Sequence, residues 1–385
     1  GHDSTLSILV TDADEVKNNG GGNITFAGGD IIVNHENGYT GVTKVTAGSV
    51  TIAQNSGFGR TSDLQVAGGA HVDLSGHEQT AGAIHTAGAH ALRGNGTLTL
   101  GISGNDLNAS FISGSNNAEG EASGFAGTVV LTNGHSLVLD NTAGLGDGTT
   151  ADLQSGTLTV SGADGTFATT LTGAGTMAIE GGEVSIAGNN SSFSGAWRLS
   201  NTAHTTVSGS NALSADELLG TGDVNLADGT TMSLSDDPSK TGWSIDNAFV
   251  GPGRLEVLGT NSDQLQDFSF SKTWDPNAFT GSFAIGSGIR YTVASGSSNA
   301  VNMANGRAVL DEGAELQVAT GGVVDTFDAL NGSGGTIRFN GELGIDASTD
   351  ELGKLQVGSL AGSGDIAVSV PGENDKVDQD LRETG

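Results

Sequence analysis

Residues 171–195, "LTGAGTMAIEGGEVSIAGNNSSFSG", alternate apolar and small polar residues and break to glycine wherever a hydrophobic run would otherwise grow. Alternation over four to six positions, bounded by Gly, Asn, Asp and Ser, is the pattern of a short strand with one buried face. It occurs twice in this one stretch, each time directly after closely spaced glycines.

The same word recurs along the chain. A hydrophobic residue, any residue, Gly-x-Gly and then alternating apolar positions appear as "LRGNGTLTL" (92–100), "LTGAGTMAI" (171–179), "LLGTGDVNL" (218–226), "FVGPGRLEV" (249–257), "LNGSGGTIRF" (330–339, one position longer) and "LAGSGDIAV" (360–368). The repeated glycines are Gly94 and Gly96, Gly173 and Gly175, Gly220 and Gly222, Gly251 and Gly253, Gly332 and Gly334, and Gly362 and Gly364. A second word, "SGFAG", "SSFSG" or "NAFTG", follows three of these and places Phe125, Phe193 and Phe279 at equivalent inward positions. A third, as in "GGAHVDLSG" (68–76), opens further alternating stretches. Helical periodicity is confined to "NALSADELLG" (211–220), barely two turns that start with capping residues.

Many short strands fit a sandwich, a propeller or a parallel solenoid. A sandwich closes after about 100 residues, whereas this grammar continues well past that length. Propeller blades keep a constant period, whereas the Gly-x-Gly words start unevenly, at positions 92, 171, 218, 249, 330 and 360. A solenoid coil stacks only on its neighbours, so its turns accept insertions while its strands stay in register. The expectation is an all-β chain folded as a right-handed parallel β-helix, each coil of roughly 20 to 25 residues advancing about 4.8 Å. Glycine serves the corners, where φ > 0 costs other residues free energy. Residues 1–45 read as N-terminal capping coils, 46–370 as the helix and 371–385 as a tail.

Composition bounds the function. The 385 residues hold 64 Gly, 4 Pro and no Cys, so disulfides and thiolate metal sites are excluded. Hydrophobic residues make up 35% and charged ones 15%, enough to form a core, and the 5% of aromatics imply an aliphatic one. A formal charge of −30 repels nucleic acid and anionic lipid, so neither is expected as a partner. No run reaches the roughly 18 to 20 apolar residues of a membrane-spanning helix, and "GHDSTLSILVTDADE" lacks the pattern of a signal peptide.

At "VDLSGHEQTAGAI" (72–84), and at the Gly-x-Gly and Phe-x-Gly words, the chain resembles the passenger region of bacterial type V autotransporters over approximately residues 45–370. In that family a "GxGxLxL" strand, a short linker, an aromatic-x-Gly turn and a "GxLxL" strand repeat. The resemblance implies a right-handed parallel β-helix displayed on the surface of a Gram-negative bacterium by a C-terminal barrel. "PGENDKVDQD", from Pro371, is similar to the start of the region before the barrel, which implies a passenger taken from a longer protein. Passengers without a protease domain are mostly adhesins and self-associating aggregation factors. The implied partners are a second copy on another cell or a host surface or matrix protein or glycan, with no membrane insertion by this part.

Motifs for chemistry are sparse. The "GDSGS" and "GDSL" nucleophile strings of protease and lipolytic passengers do not occur. A lyase-like carboxylate cluster needs a nearby base, and the 14 basic residues stand singly, Lys376 and Arg382 excepted. Asp12 with Asp14, and Asp236 with Asp237, read as solvated turn residues rather than an acid–base pair. His71, His77, His85 and His90 lie close together in sequence but sit beside turn glycines or on the polar phase of strands, so no metal or other cofactor is expected. The Gly-rich words precede no helix that could hold a phosphate.

Aromatics leave one open choice. "SKTGWSIDNAF" and "SKTWDPNAF" look like a duplicated loop carrying Lys240 with Trp243 and Lys272 with Trp274. Those four residues either form a protruding binding patch or pack against the flank of the coils, and Trp197 on "SGAWRLS" is open in the same way. The leading functional expectation is a non-enzymatic adhesin. A polysaccharide-active enzyme on the same scaffold, or glycan binding through the Trp loops, are the alternatives.

Overall fold

The computed structural model describes residues 8–10, 21–102, 109–116, 124–260, 264–272, 278–293, 307–311, 314–318, 323–327, 329–340, 354–357 and 360–369. It is a parallel β-helix: among the described residues the strands pair in parallel, and the sequence offset between paired strands is the length of a coil. That length varies, from the short coil that sets Ile8 opposite Ile24 to the long one that sets Thr97 opposite Thr128. The chain forms two units, residues 1–237 with 246–255, and 238–245 with 256–385.

In the first unit the early coils carry long strands, Ile24–Val33 and Thr43–Ile52, which are each two strands joined through a glycine bend. Thr43–Ile52 hands its first half to Arg60–Val66 and its second half to His71–Asp73. From there two ladders climb separately. One runs Glu78–Thr86, Thr97–Leu100, Thr128–Leu131, Thr150–Asp152 and Thr170–Thr172. The other runs Ser110–Ile112, Ser136–Leu139, Thr157–Ser161, Thr176–Glu180, Ala196–Ser200, Val224–Leu226 and Phe249–Val250. A third face holds Gly165–Phe167, Glu183–Ile186, His204–Ser208 and Thr231–Ser235. The boundary expected at residue 45 falls inside Thr43–Ile52, whose pairing with Ile24–Val33 continues the same stack.

Because side chains alternate, register places like residues above one another and builds the core in columns. Leu98, Val129, Ala151 and Leu171 form one; Leu137, Leu158, Met177, Trp197, Val224 and Phe249 form another, all buried. Trp197 is therefore a core residue. Its indole Nε1 donates to the Leu219 carbonyl at 2.9 Å and its ring meets Phe193 edge-on at 5.8 Å.

The Gly-x-Gly word divides its labour. Gly173 and Gly251 take φ of 84° and 97°, as a corner between faces requires. The second glycine is there for space instead. A Cβ on Gly175 would strike the Gly156 and Leu153 carbonyls, and one on Gly222 the Gly195 carbonyl. The Phe-x-Gly word docks on this corner: Phe125 bridges Gly94 and Phe193 bridges Gly173 in parallel register. Phe125, Phe193 and Phe279 are fully buried.

Buried asparagines seal the same corners. Asn190 accepts from the Leu171 amide at 2.7 Å and donates to the Leu218 carbonyl at 2.6 Å, tying its coil to the coils on either side. Asn116 accepts from the Leu92 amide at 3.1 Å and donates to the Gly144 carbonyl, and Asn247 donates to the Gly220 and Gly222 carbonyls at 3.0 and 2.7 Å. Backbone groups that a corner takes out of the strand ladder are thus satisfied by side-chain amides.

The coil between Trp197 and Val224 carries the helix, Ala215–Leu219. Ser214 caps it and Glu217 closes a capping box, its carboxylate accepting from the Ser214 amide at 2.8 Å.

The second unit departs from the aliphatic expectation. Trp243, Phe268 and Tyr291 stand in one register column, and Phe268, Phe270, Phe283 and Tyr291 contact one another at centroid distances of 4.8 to 6.2 Å. Aromatics scarce in the whole chain are concentrated where one core needs bulk. Its strands climb as Gly242–Ile245, Gln266–Phe270, Ile289–Val293, Glu315–Val318, Ala329–Asn340 and Leu360–Ser369. The extra position in "LNGSGGTIRF" shows as a register shift between Ser333 and Gly335 opposite Ser363 and Gly364, so Gly334 is the bulge residue. Gly332 and Gly362 remain paired.

Candidate functional site

What the coils present outward follows from the same registers. Thr97, Thr128, Thr150 and Thr170 form a column, each directly above the last and half-buried at its base. Ser136, Thr157 and Thr176 form a second, and Thr166, Ser185 and Thr206 a third. Strand spacing puts successive hydroxyls about 4.8 Å apart. None of these side chains makes a hydrogen bond within the described residues. Each can both donate and accept, so the columns are ordered rows of open hydrogen-bonding groups on a rigid sheet.

Of the two readings left open for the Trp loops, Trp243 takes the packed one. That residue is 8% exposed and lies tilted against Phe268 with centroids 4.5 Å apart, so it heads the aromatic column of the second unit. Its Nε1 is buried without a hydrogen-bond acceptor. Lys240 precedes the strand Gly242–Ile245, and its carbonyl accepts from Gln266 at 3.0 Å. Lys272 follows the partner strand Gln266–Phe270 at the opposite end. Trp274 lies outside the described residues, as do Asp12, Asp14 and the tail 371–385.

Asp236 and Asp237 also depart from expectation. They are 1% and 8% exposed rather than solvated, and the Asp237 amide donates to the Asp236 carboxylate at 2.7 Å. The histidines engage separate partners. His71 Nδ1 faces the His90 carbonyl at 2.8 Å while its Nε2 accepts from Arg93 at 3.2 Å; His85 pairs with Asp63 at 2.8 Å; His77 reaches Asn55 at 3.3 Å. Among the described residues no group of three or more His, Asp or Glu is placed to hold a metal ion.

One carboxylate has a displaced acidity. Burial raises the pKa of Asp216 above its ordinary 3.8, opposed by the Asp246 amide that donates to it at 3.0 Å and reinforced by the charges of Asp246 and Glu217. In the second unit, Arg290 is clamped between Glu315 (2.9 Å) and Asp267 (3.3 Å), an acid–base–acid ladder across three coils. Both arrangements hold structure together or load it with charge, and neither offers a paired acid and base facing a cleft.

Sequence words located strands, corners and inward Phe positions. They did not locate the hydroxyl columns, because the coils that separate Thr97, Thr128, Thr150 and Thr170 differ in length and register is a property of the stack.

Comparison with known proteins yields two relatives, both from Escherichia coli K12. The chain is 28% identical over 281 residues to one named uncharacterized lipoprotein YdeK, covering 71% of this chain and 20% of that protein. It is 34% identical over 101 residues to one named uncharacterized protein YuaQ, covering 26% of this chain and 7% of that protein. The chain thus spans a fifth or less of the length of these relatives. No family model and no solved structure matches it.

Proposed function

We propose that this chain is the adhesive, β-helical portion of a larger bacterial surface protein, an autotransporter-type passenger that joins cells into aggregates and biofilm and attaches them to host surfaces. The observation that carries the reading is the set of in-register outward hydroxyl columns with no internal partner. A hydrogen bond contributes about 1 kcal/mol net, too little singly, but rows on a rigid face present many at once and cells present many copies, which multiplies avidity. Two copies facing each other in antiparallel fashion would match hydroxyl to hydroxyl at the same spacing. The envelope location is supported by the relative named as a lipoprotein.

The test is sedimentation of the purified chain together with clumping of cells that display it. Self-association at high protein concentration with salt or Ca²⁺, and clumping lost when Thr128, Thr150 and Thr170 are all changed to Val, are expected. Valine keeps the strand and puts a methyl in place of the hydroxyl. A chain that stays monomeric while the displaying cells neither clump nor adhere overturns the reading.

A further inference from the structure

On the first unit a shallow groove of about 670 Å³ runs beside the threonine columns, lined by Ser56, Arg60, Thr80, Thr99, Ile102, Thr132, Asn133, Gln154 and Ser155. Its floor is a register column, Arg60 over Thr80 over Thr99. The lining comes from five successive coils, so the groove extends about 19 Å along the stacking direction at strand spacing.

The far wall is held in place by its own bonds. Thr132 donates to the Leu100 carbonyl at 2.8 Å, Asn133 Nδ2 to the Gly101 carbonyl at 2.6 Å, Gln154 Nε2 to Asp152 at 3.0 Å, and Ser155 Oγ accepts from the Gly134 amide at 3.2 Å. Those bonds leave the amide oxygens of Asn133 and Gln154 as acceptors. Of the remaining lining, the side chains of Ser56, Thr99 and Arg60 make no hydrogen bond or ion pair among the described residues. Arg60 is exposed, so its guanidinium is open to a ligand.

We infer that this groove binds an extended, hydroxyl-rich glycan that carries isolated carboxylates, with the chain lying along the coil stack and one carboxylate on Arg60. Hydroxyls and amides suit sugar hydroxyls, which donate and accept as they do, and a guanidinium takes a carboxylate through two parallel bonds. A pyranose repeat is close to the rise of one coil, so successive sugars meet successive coils. Ile102 is the one large apolar side chain in the lining, which gives a peptide nothing to bury its side chains in. A polyanion is disfavoured: there is one cation in the groove and a charge of −30 on the chain.

The inference deepens the adhesive reading by naming a ligand class, and the two fail separately. Self-association is read on the chain alone, glycan affinity by titration at concentrations where it is monomeric. The full chain is titrated calorimetrically with a neutral hexose oligomer, a hexose oligomer bearing one sialic acid, and an oligogalacturonate. The singly sialylated probe is expected to bind most tightly. Arg60→Ala should weaken it about tenfold, the scale of a charged hydrogen bond, while leaving the neutral probe unchanged, and Arg60→Lys should recover part of the loss. Thr99→Val, which keeps the strand, should weaken both probes. Absence of binding by every probe, tightest binding by the oligogalacturonate, or a sialylated affinity unmoved by Arg60→Ala would overturn it.

Discussion

A single methyl group separates the two glycine roles. At Gly134, φ is 72° and a Cβ would meet open space, so alanine there carries only the left-handed backbone cost, about 1 to 2 kcal/mol. At Gly195 a Cβ would strike the Gly175 carbonyl and the Phe193 ring, so the stacked backbones must move apart. Gly195→Ala is therefore expected to cost about 3 kcal/mol and Gly134→Ala clearly less, a ranking that denaturant unfolding reads directly. Asp216 gives a pH-dependent counterpart. Its pKa is raised on folding, so the folded chain is unpenalised below pH 3.8 and loses stability as pH climbs from there through the raised value. Asp216→Asn, whose Oδ1 can still accept from the Asp246 amide, should raise the melting temperature at neutral pH and change nothing at pH 3; an equal gain at both would refute the assignment. Glycine positions were readable from spacing, but which glycine turns and which makes room was not. Nor was the burial of Asn116, Asn190 and Asn247, since an asparagine near a turn looks the same whether or not a neighbouring coil covers it.

Elements were more legible than contacts. Alternation marked the strands, and the capping residues at the start of residues 211–220 marked the helix, though the Ser214–Glu217 capping box itself is seen only in the structure. Ser214→Ala should cost about 1 kcal/mol, visible as faster amide exchange across Ala215–Leu219. The Trp loops stayed open for the opposite reason: "SKTGW" and "SKTW" are alike locally, while pairing puts Trp243 against Phe268, a match fixed by the stack. The Arg290 ladder shows how unequal two similar ion pairs can be. Asp267 is more than half exposed and its bond to Arg290 contributes little. Glu315 is 5% exposed, so Arg290→Ala takes a charged hydrogen bond from a buried carboxylate and is expected to cost more, about 2 kcal/mol. Asp267→Ala should cost under about 1 kcal/mol by the same unfolding measurement, and equal losses would show that the ladder acts as one unit.

Across the whole molecule, charge decides how the contact surface and the groove respond to salt, and it sets them in opposite directions. The 44 acidic against 14 basic residues make each copy repel its like. That repulsion acts between separated charges and is screened once the Debye length falls to about 8 Å near 0.15 M salt, whereas hydroxyl-to-hydroxyl bonds in the columns carry no net charge to screen. Self-association should therefore strengthen from low salt to physiological salt. A carboxylate on Arg60 is a single exposed ion pair, so its share of glycan affinity should weaken over the same range. Sedimentation and calorimetry on one preparation, at matched salt steps, would show the two trends crossing. If both weakened with salt, copies would be joining through ion pairs, contrary to the hydroxyl columns. If both strengthened, the glycan would be held without its carboxylate, and Arg60 would lose its role while the remaining hydroxyl and amide lining kept its own.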